Sequence, residues 1–458
     1  MSLRAPNLES AATINPDGSR RFIHPATPRG VFSALRSVTG VLLLGVYAAL
    51  PWIPINGYPA VFLDIANRRF HLFGLTLVMQ DLWLGFFLIT GTGFGLFYLT
   101  ALLGRVWCGW VCPQTVFLDV VRRIERLIEG DAPKRRRLDA MPWTGVKTLQ
   151  RGLKQVLFAL FALALAHVFL SYFVSLPLLW KMMLDSPLEH WSAFLFVFAM
   201  SAALWFDFAW FREQFCIVLC PYGRLQSVLM DNDTITVGYD AARGEPRGKK
   251  GTPGARDCVD CFRCVQVCPT GIDIRQGAQI ECIACAACVD ACNEVMVKLD
   301  RPTGLVRYDS ANGFAGRKTR LIRPRTIVYS VLLLIGASVG AFSVSTFQMA
   351  SVTVSRMIGE PYILSSAGVR NQYLLRIINK QNAPEVFQVR LRGAVGMTSS
   401  GAEELVATPP LGEAIRPLIA TVPRAQFQPG QPITVLVDSS DGRFHAEQQV
   451  PFLGPNSP

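Results

Sequence analysis

Twelve cysteines carry the chemistry of this chain, and eight of them fall in two matching runs. The first is Cys258-Val-Asp-Cys261-Phe-Arg-Cys264-Val-Gln-Val-Cys268-Pro269. The second is Cys282-Ile-Ala-Cys285-Ala-Ala-Cys288-Val-Asp-Ala-Cys292-Asn293. A C-x2-C-x2-C-x3-C-P run is the ligand pattern of bacterial [4Fe–4S] ferredoxins, in which the fourth cysteine of each run serves the other cluster. By that rule Cys258, Cys261, Cys264 and Cys292 hold one cluster, and Cys268, Cys282, Cys285 and Cys288 hold the second. Two clusters built this way lie close together and conduct electrons. Zinc sites usually use two separated pairs rather than two four-cysteine runs. Asn293 stands where the pattern has proline, so a looser turn is expected there, with no ligand lost.

The other four cysteines form a second repeat: Trp107-Cys108-Gly-Trp-Val-Cys112-Pro113 and Phe215-Cys216-Ile-Val-Leu-Cys220-Pro221. Positions i and i+4 share a helix face, so each pair could point its sulfurs one way. Proline after the second cysteine disfavours helix at that cysteine and suits the first turn of a new one. Soft thiolates favour Cu(I), zinc or iron–sulfur clusters. A copper or other redox-metal site is the reading preferred. A third cluster, a dithiol/disulfide relay and plain packing are the alternatives; C-x3-C is not a ferredoxin spacing, and buried cysteine packs readily.

These motifs must be held by the elements around them. The chain is 51% hydrophobic with a mean hydropathy of +0.31. About 20 apolar residues span a bilayer as a helix. Five stretches qualify: Val38–Ile55, Leu82–Leu103, Gln155–Leu176, Trp191–Phe211 and Thr326–Phe347. The polar first thirty residues do not read as a signal peptide. Lys and Arg set the orientation. Arg105–Lys154 carries 11 of them, the loop after the first span only Arg68 and Arg69, and the loop after the third only Lys181. The N-terminus, Arg105–Lys154 and Arg212–Arg325 are therefore expected in the cytoplasm, and residues after Phe347 in the periplasm. All twelve cysteines then lie on the side where thiols stay reduced. The net charge of +12 becomes a topology signal. Nucleic-acid binding would need a basic face in a soluble domain. Nucleic acid is not expected as a partner; membrane lipid is, with the basic run Lys134–Arg137 solvated beside anionic headgroups.

The expected fold is an α-helical integral membrane protein with five transmembrane helices. It has an inserted two-cluster ferredoxin-like α+β module and a C-terminal all-β immunoglobulin-like domain. The divisions are a cytoplasmic segment 1–37, four helices with the C-x3-C-P motifs over 38–211, and a cytoplasmic region 212–325 with the ferredoxin module at about 255–300. A fifth helix at 326–347 and a β-sandwich at 348–458 follow. Alternation in Gln372–Asn379, Glu385–Gly393 and Gln431–Asp438 carries the sandwich expectation. Asp231–Arg256 reads as a linker, and Thr115–Ile128 as an interfacial helix. His167 inside the third span is expected to bond across to another helix, with a quinone contact or haem ligation as weaker options. His71 and His190 lie on the outer side, and His445 is alone in its domain. Asp207 is expected to pair with Arg212.

In combination, the five spans, the two C-x3-C-P motifs, the doubled ferredoxin run, the segment Asp300-Arg-Pro-Thr-Gly-Leu-Val-Arg-Tyr308 and the C-terminal β domain resemble the FixG/RdxA/CcoG family of cytochrome oxidase accessory proteins. The resemblance covers nearly the whole length. It implies an inner-membrane cupric reductase that converts Cu(II) to Cu(I) for assembly of cbb3-type cytochrome oxidase. It further implies that Cys108, Cys112, Cys216 and Cys220 handle copper, and that oxidase assembly factors or a copper transporter are partners. Membrane polyferredoxins of the NapH type share the C-x3-C-P pairs and suggest quinol-linked electron transfer instead; a non-redox copper chaperone or scaffold is a third option. No Rossmann fingerprint is evident, so the electron donor is external.

Overall fold

The structure is a computed structural model that describes residues 22–249, 251–402 and 405–455. The expectations for residues 1–21 lie outside the described part. The chain divides into two compact units, one of residues 1–53 and 85–339, the other of residues 54–84 and 340–458.

Among the described residues, five helices are long and apolar enough to cross a membrane: Val31–Trp52, Trp83–Leu103, Gly145–Leu170, Trp191–Phe211 and Pro324–Ser345. Between 0% and 33% of each apolar window is covered by protein. Apolar helices left this bare are stable only in a medium as apolar as themselves, so the protein is a multi-pass membrane protein. Three spans begin earlier than the hydropathy suggests. The first starts at Val31 rather than Val38, because Ser33 and Arg36 find partners: Asp290 accepts from the Ser33 backbone at 2.7 Å and its hydroxyl at 2.6 Å. The third starts at Gly145 rather than Gln155 and ends at Leu170. Its first turns carry Lys147, whose ammonium donates to the Met141 carbonyl at 2.6 Å, and Lys154, paired with Glu129 at 2.8 Å. The fifth runs Pro324–Ser345, two residues ahead of expectation at each end.

In the first unit a two-stranded sheet, Thr236–Tyr239 paired with Val306–Asp309, frames the double cysteine run. The stretch read as a linker is partly built into this frame, since Tyr239 and the short helix Ala241–Gly244 belong to it. Helix Ala287–Lys298 carries Cys288 and Cys292. Asn293 does not loosen a turn. It lies within that helix, and its side-chain oxygen accepts from Gly304 N at 2.9 Å.

The helix after the first C-x3-C-P motif spans Pro113–Glu129, with proline at its first turn. It buries Val116, Leu118 and Val121 together with Glu125 and Glu129, so the face expected to be merely interfacial is partly charged and buried. Glu125 accepts from Arg135 and from Arg212, each at 2.9 Å. Arg135 is 1% exposed, which corrects the view of Lys134–Arg137 as wholly solvated. The expected Asp207–Arg212 ion pair is likewise replaced. Asp207 accepts from Gln114 Nε2 at 2.8 and 3.0 Å while Arg212 turns to Glu125. His167 bonds within its own helix, Nδ1 to the Leu163 carbonyl at 2.8 Å, not across to another.

The second unit is all-β. One sheet orders Thr398–Ser400, Glu413–Val422, Gly368–Asn379 and Ala350–Arg356, with Ile363–Ser365 also paired to Gly368–Asn379. The other orders Leu405–Thr408, Glu385–Arg392, Pro432–Ser439 and His445–Pro451. Every other residue of the central strands turns inward: Tyr373, Leu375 and Ile377 from the first sheet meet Phe387, Val389, Val435 and Val437 from the second. The segment after the first span, read as a plain outer loop, folds into strands Val61–Asp64, Arg69–Leu72 and Leu75–Val78 and belongs to this unit. Lys380 ties it by an ion pair to Asp81 at 2.8 Å, and Asn382 donates to the Asn56 carbonyl at 2.7 Å.

Candidate redox site

The double repeat is visible in the backbone. Asp260 and Phe262 in the first run, and Ala284 and Ala286 in the second, hold φ of 54°, 56°, 52° and 59°. These are equivalent positions, and left-handed backbone is uncommon at non-glycine residues. Alternating right- and left-handed residues turn successive amides inward into a concavity that suits anions and iron–sulfur sites. Two cavities follow. One is lined by Cys258, Cys261, Cys264 and Cys292. The other is lined by Cys268, Cys282, Cys285 and Cys288, and Cys264 lines both. Burial pushes the Cys264 and Cys282 thiols up to about 12 and that of Cys292 to about 11. A buried thiolate is costly unless a cation takes its charge, and metal binding displaces these protons. The donor set, the repeated left-handed turns and the two cavities thus fit two [4Fe–4S] clusters.

The structure also gathers the two C-x3-C-P pairs. Cys108 lies in a short helix Val106–Trp110, and Cys112 caps the next helix. Cys216 lies in a wide turn Phe215–Leu219, and Cys220 caps helix Pro221–Leu229. Such widened turns are frequent at functional sites. All four thiols are half-buried. Burial, and after it the neighbouring Cys112, Cys108 and Cys220, push the Cys216 thiol up to about 12. Burial pushes Cys108 up to about 11, opposed by the Gln226 side chain and by Arg105.

Arg105 holds the assembly together. Its guanidinium donates to the Ile280 carbonyl just before Cys282 and to the Gly223 carbonyl just after the second motif. Arg36 Nε donates to the Gly109 carbonyl at 2.9 Å, Trp110 Nε1 donates to Tyr308 Oη at 3.1 Å, and Tyr308 Oη donates to the Ala284 carbonyl at 2.5 Å. The contact is closest at Gly109, inside the first motif. A Cβ there would stand 2.4 Å from the Ile283 carbonyl oxygen and 2.9 Å from both Cys285 Cα and Cys285 N. Cys108 packs in one apolar cluster with Cys285 and Cys288. The first membrane-edge pair therefore abuts the loop that holds the second cluster.

The sequence reading missed Arg105, Gln114, Gln226 and Gly109 as parts of this site. Gly109 between two cysteines, and Arg105 just ahead of the first motif, were the visible signals. Among the histidines, His71 stacks on Tyr58 at 3.8 Å between centroids, and His445 faces Asp438 at 2.5 Å. His190 joins Asp185 and Glu189, ligand atoms all within 4.8 Å, a grouping that was also missed.

Residues 211–311 match the family described as a 4Fe-4S dicluster domain, and residues 84–130 one described as a 4Fe-4S binding domain. Residues 340–455 match an IG-like fold at the C-terminal of FixG. Protein RdxA of Cereibacter sphaeroides is 37% identical over 82% of this chain and 84% of its own. Nitrogen fixation protein FixG of Rhizobium meliloti is 32% identical over 93% of this chain and 88% of its own. Ferredoxin-type protein NapH of Haemophilus influenzae is 28% identical over 44% of this chain and 64% of its own. With five apolar helices, an iron–sulfur module and that β domain, the chain belongs to the FixG/RdxA family and is a membrane-bound iron–sulfur electron-transfer protein.

Proposed function

We propose that this protein reduces Cu(II) to Cu(I) at Cys108, Cys112, Cys216 and Cys220, with electrons drawn from the ferredoxin module, in support of cbb3-type oxidase assembly. The observation that carries this reading is the abutment of Gly109 on the Cys285 backbone, which brings the Cys108 loop against one cluster-binding loop. Bound clusters there supply single electrons, and each Cu(II) ion takes one. Thiolates suit Cu(I) better than Cu(II), which prefers tetragonal nitrogen and oxygen ligands, so a thiolate site favours the reduced ion. The raised thiol pKa values mean that copper displaces protons when it binds. Arg105 and Gln226 orient the first pair, and Arg105 ties both motifs to the module.

On the Lys and Arg bias, this site and the N-terminus face the cytoplasm of a bacterial inner membrane, and the β domain faces the periplasm. Oxidase assembly factors or a copper transporter would be the recipients, and the donor is an external reductant. The similarity to NapH favours a second reading, electron transfer from quinol to a partner complex without copper.

The test is anaerobic Cu(II) reduction by dithionite-reduced protein, read with a Cu(I)-specific chelator after excess dithionite is removed. Cys108→Ser with Cys112→Ser, or Cys216→Ser with Cys220→Ser, should retain iron and sulfide yet lose copper reduction. Each double variant should lose about as much as the quadruple variant if the pairs share an ion. Wild-type reduction rates in the quadruple variant would sink the copper reading and bring the quinol reading forward.

A further inference from the structure

A cavity of about 360 Å³ opens beside the first span, walled by the chain that leads into that span, by the helix Pro113–Glu129 and by Val267, Pro269 and Ala287 of the ferredoxin module. Six arginines contribute to its wall against the single carboxylate Asp119. Two of the six are already neutralised: Arg36 by Asp119 at 2.5 Å, and Arg135 by Glu125. The other four carry a surplus. Arg122, 9% exposed, has its nearest carboxylates at 3.8 Å, and its Nε is buried without a hydrogen-bond partner. Arg126 spends its donors on Thr27 Oγ1 and the Arg122 carbonyl, both uncharged. The Arg29 and Arg123 side chains form no hydrogen bond and no ion pair within 4 Å among the described residues, although Arg29 lies close enough to Glu294 to act on its carboxylate. Burial and then the neighbouring Arg123 lower the Arg126 pKa, which reports the same crowding of like charge.

Solvated surface arginines spread apart; these converge on a concavity. Guanidinium groups match phosphate oxygens in a bidentate fork and are the side chains of choice for that anion. Basic pockets between membrane helices on the cytoplasmic side are recurrent sites for phospholipid head groups. We propose that this cavity binds a phosphate group, brought either by an anionic phospholipid head group or by a soluble phosphorylated compound. Neither copper nor the C-x3-C-P cysteines enter into it. An occupant would rest against Val267 and Pro269, which flank the cluster ligand Cys268, and so would brace the module against the membrane.

The experiment uses the full-length, iron-loaded protein. In one arm, native mass spectrometry compares retention of phosphatidylglycerol with that of phosphatidylcholine. In the other, calorimetry titrates inorganic phosphate and pyrophosphate into protein held in phosphatidylcholine discs. Both are repeated with Arg29→Gln and Arg123→Gln combined, side chains whose loss breaks no internal bond; unchanged iron content and absorption certify the fold. Preferential retention of phosphatidylglycerol, weakened at least about tenfold in the double variant, identifies a lipid occupant. Phosphate or pyrophosphate binding weakened in the same way identifies a soluble one. Binding in neither arm, or binding that the double variant leaves unchanged, overturns the proposal.

Discussion

Replacing Gly109 by alanine probes the contact on which the proposed electron delivery depends. The new Cβ would stand 2.4 Å from the Ile283 carbonyl oxygen. Carbon and carbonyl oxygen approach to about 3.3 Å even in the closest favourable contacts, so the two loops must part by about 1 Å. All three crowded atoms are backbone, and no side chain can swing aside to relieve them. Overpacking of this kind costs about 1–3 kcal/mol. The same retreat separates Cys108 from the Cys285 loop, and electron transfer slows as donor and acceptor move apart. The assay pairs thermal unfolding with the copper-reduction measurement on dithionite-reduced protein. Gly109→Ala should unfold several degrees lower and reduce copper more slowly, with eight irons retained. Gly152→Ala, where a Cβ meets nothing within 4 Å, is the control and should be neutral or slightly stabilising. Wild-type stability and wild-type copper reduction in Gly109→Ala would refute the close-contact argument.

Metal analysis of anaerobic protein should find about eight irons per chain, and Cys264→Ser and Cys285→Ser should each damage a different cluster; zinc without sulfide would refute the assignment. Glu125→Gln should cost about 3–5 kcal/mol, because it strips the charge partner from the buried Arg135 and Arg212; an unchanged unfolding temperature would contradict it. Burial alone would raise the Glu125 carboxyl, but Arg212 and Arg135 overcome it and hold it down to about 2. Its folded pKa is thus depressed, so its stabilisation is complete above the ordinary carboxylate value and fades as pH falls from about 4.5 toward 2. Unfolding temperatures of wild type and Glu125→Gln should accordingly converge on acidification and stay apart above about pH 5. Reporter fusions after Phe347 should report the periplasm and fusions near Gly251 the cytoplasm; a cytoplasmic C-terminus would mean that one helix does not cross.

Spacing was the most legible property of the sequence, because cluster ligation imposes it locally. The cysteine runs, the five apolar helices and the alternating strands around Tyr373 and Val389 all obey short-range rules. What stayed hidden depends on partners far along the chain. The first span starts seven residues early because Asp290, some 257 residues away, accepts from Ser33. Arg212 and Asp207 are neighbours in sequence, yet Glu125 and Gln114 reach them first. Hydropathy could not assign residues 54–84 to the β unit, since Lys380–Asp81 is a long-range pair. The close fit at Gly109 was invisible for the same reason: a missing Cβ matters only when the opposite backbone is known.

Of the twelve cysteines, Cys261 alone is exposed, beside the half-bare ring of Phe262, whereas Cys285 lies buried against the membrane-edge loops. The two iron sites therefore meet oxygen unequally. Oxidants and chelators reach Cys261 first, so air should strip the outer site while the inner one survives. Aerobic preparations would then hold about four irons and an intact inner site with no supply line to it. Such protein would look half-loaded and inert, and reconstitution with iron and sulfide should revive it by refilling the outer site alone.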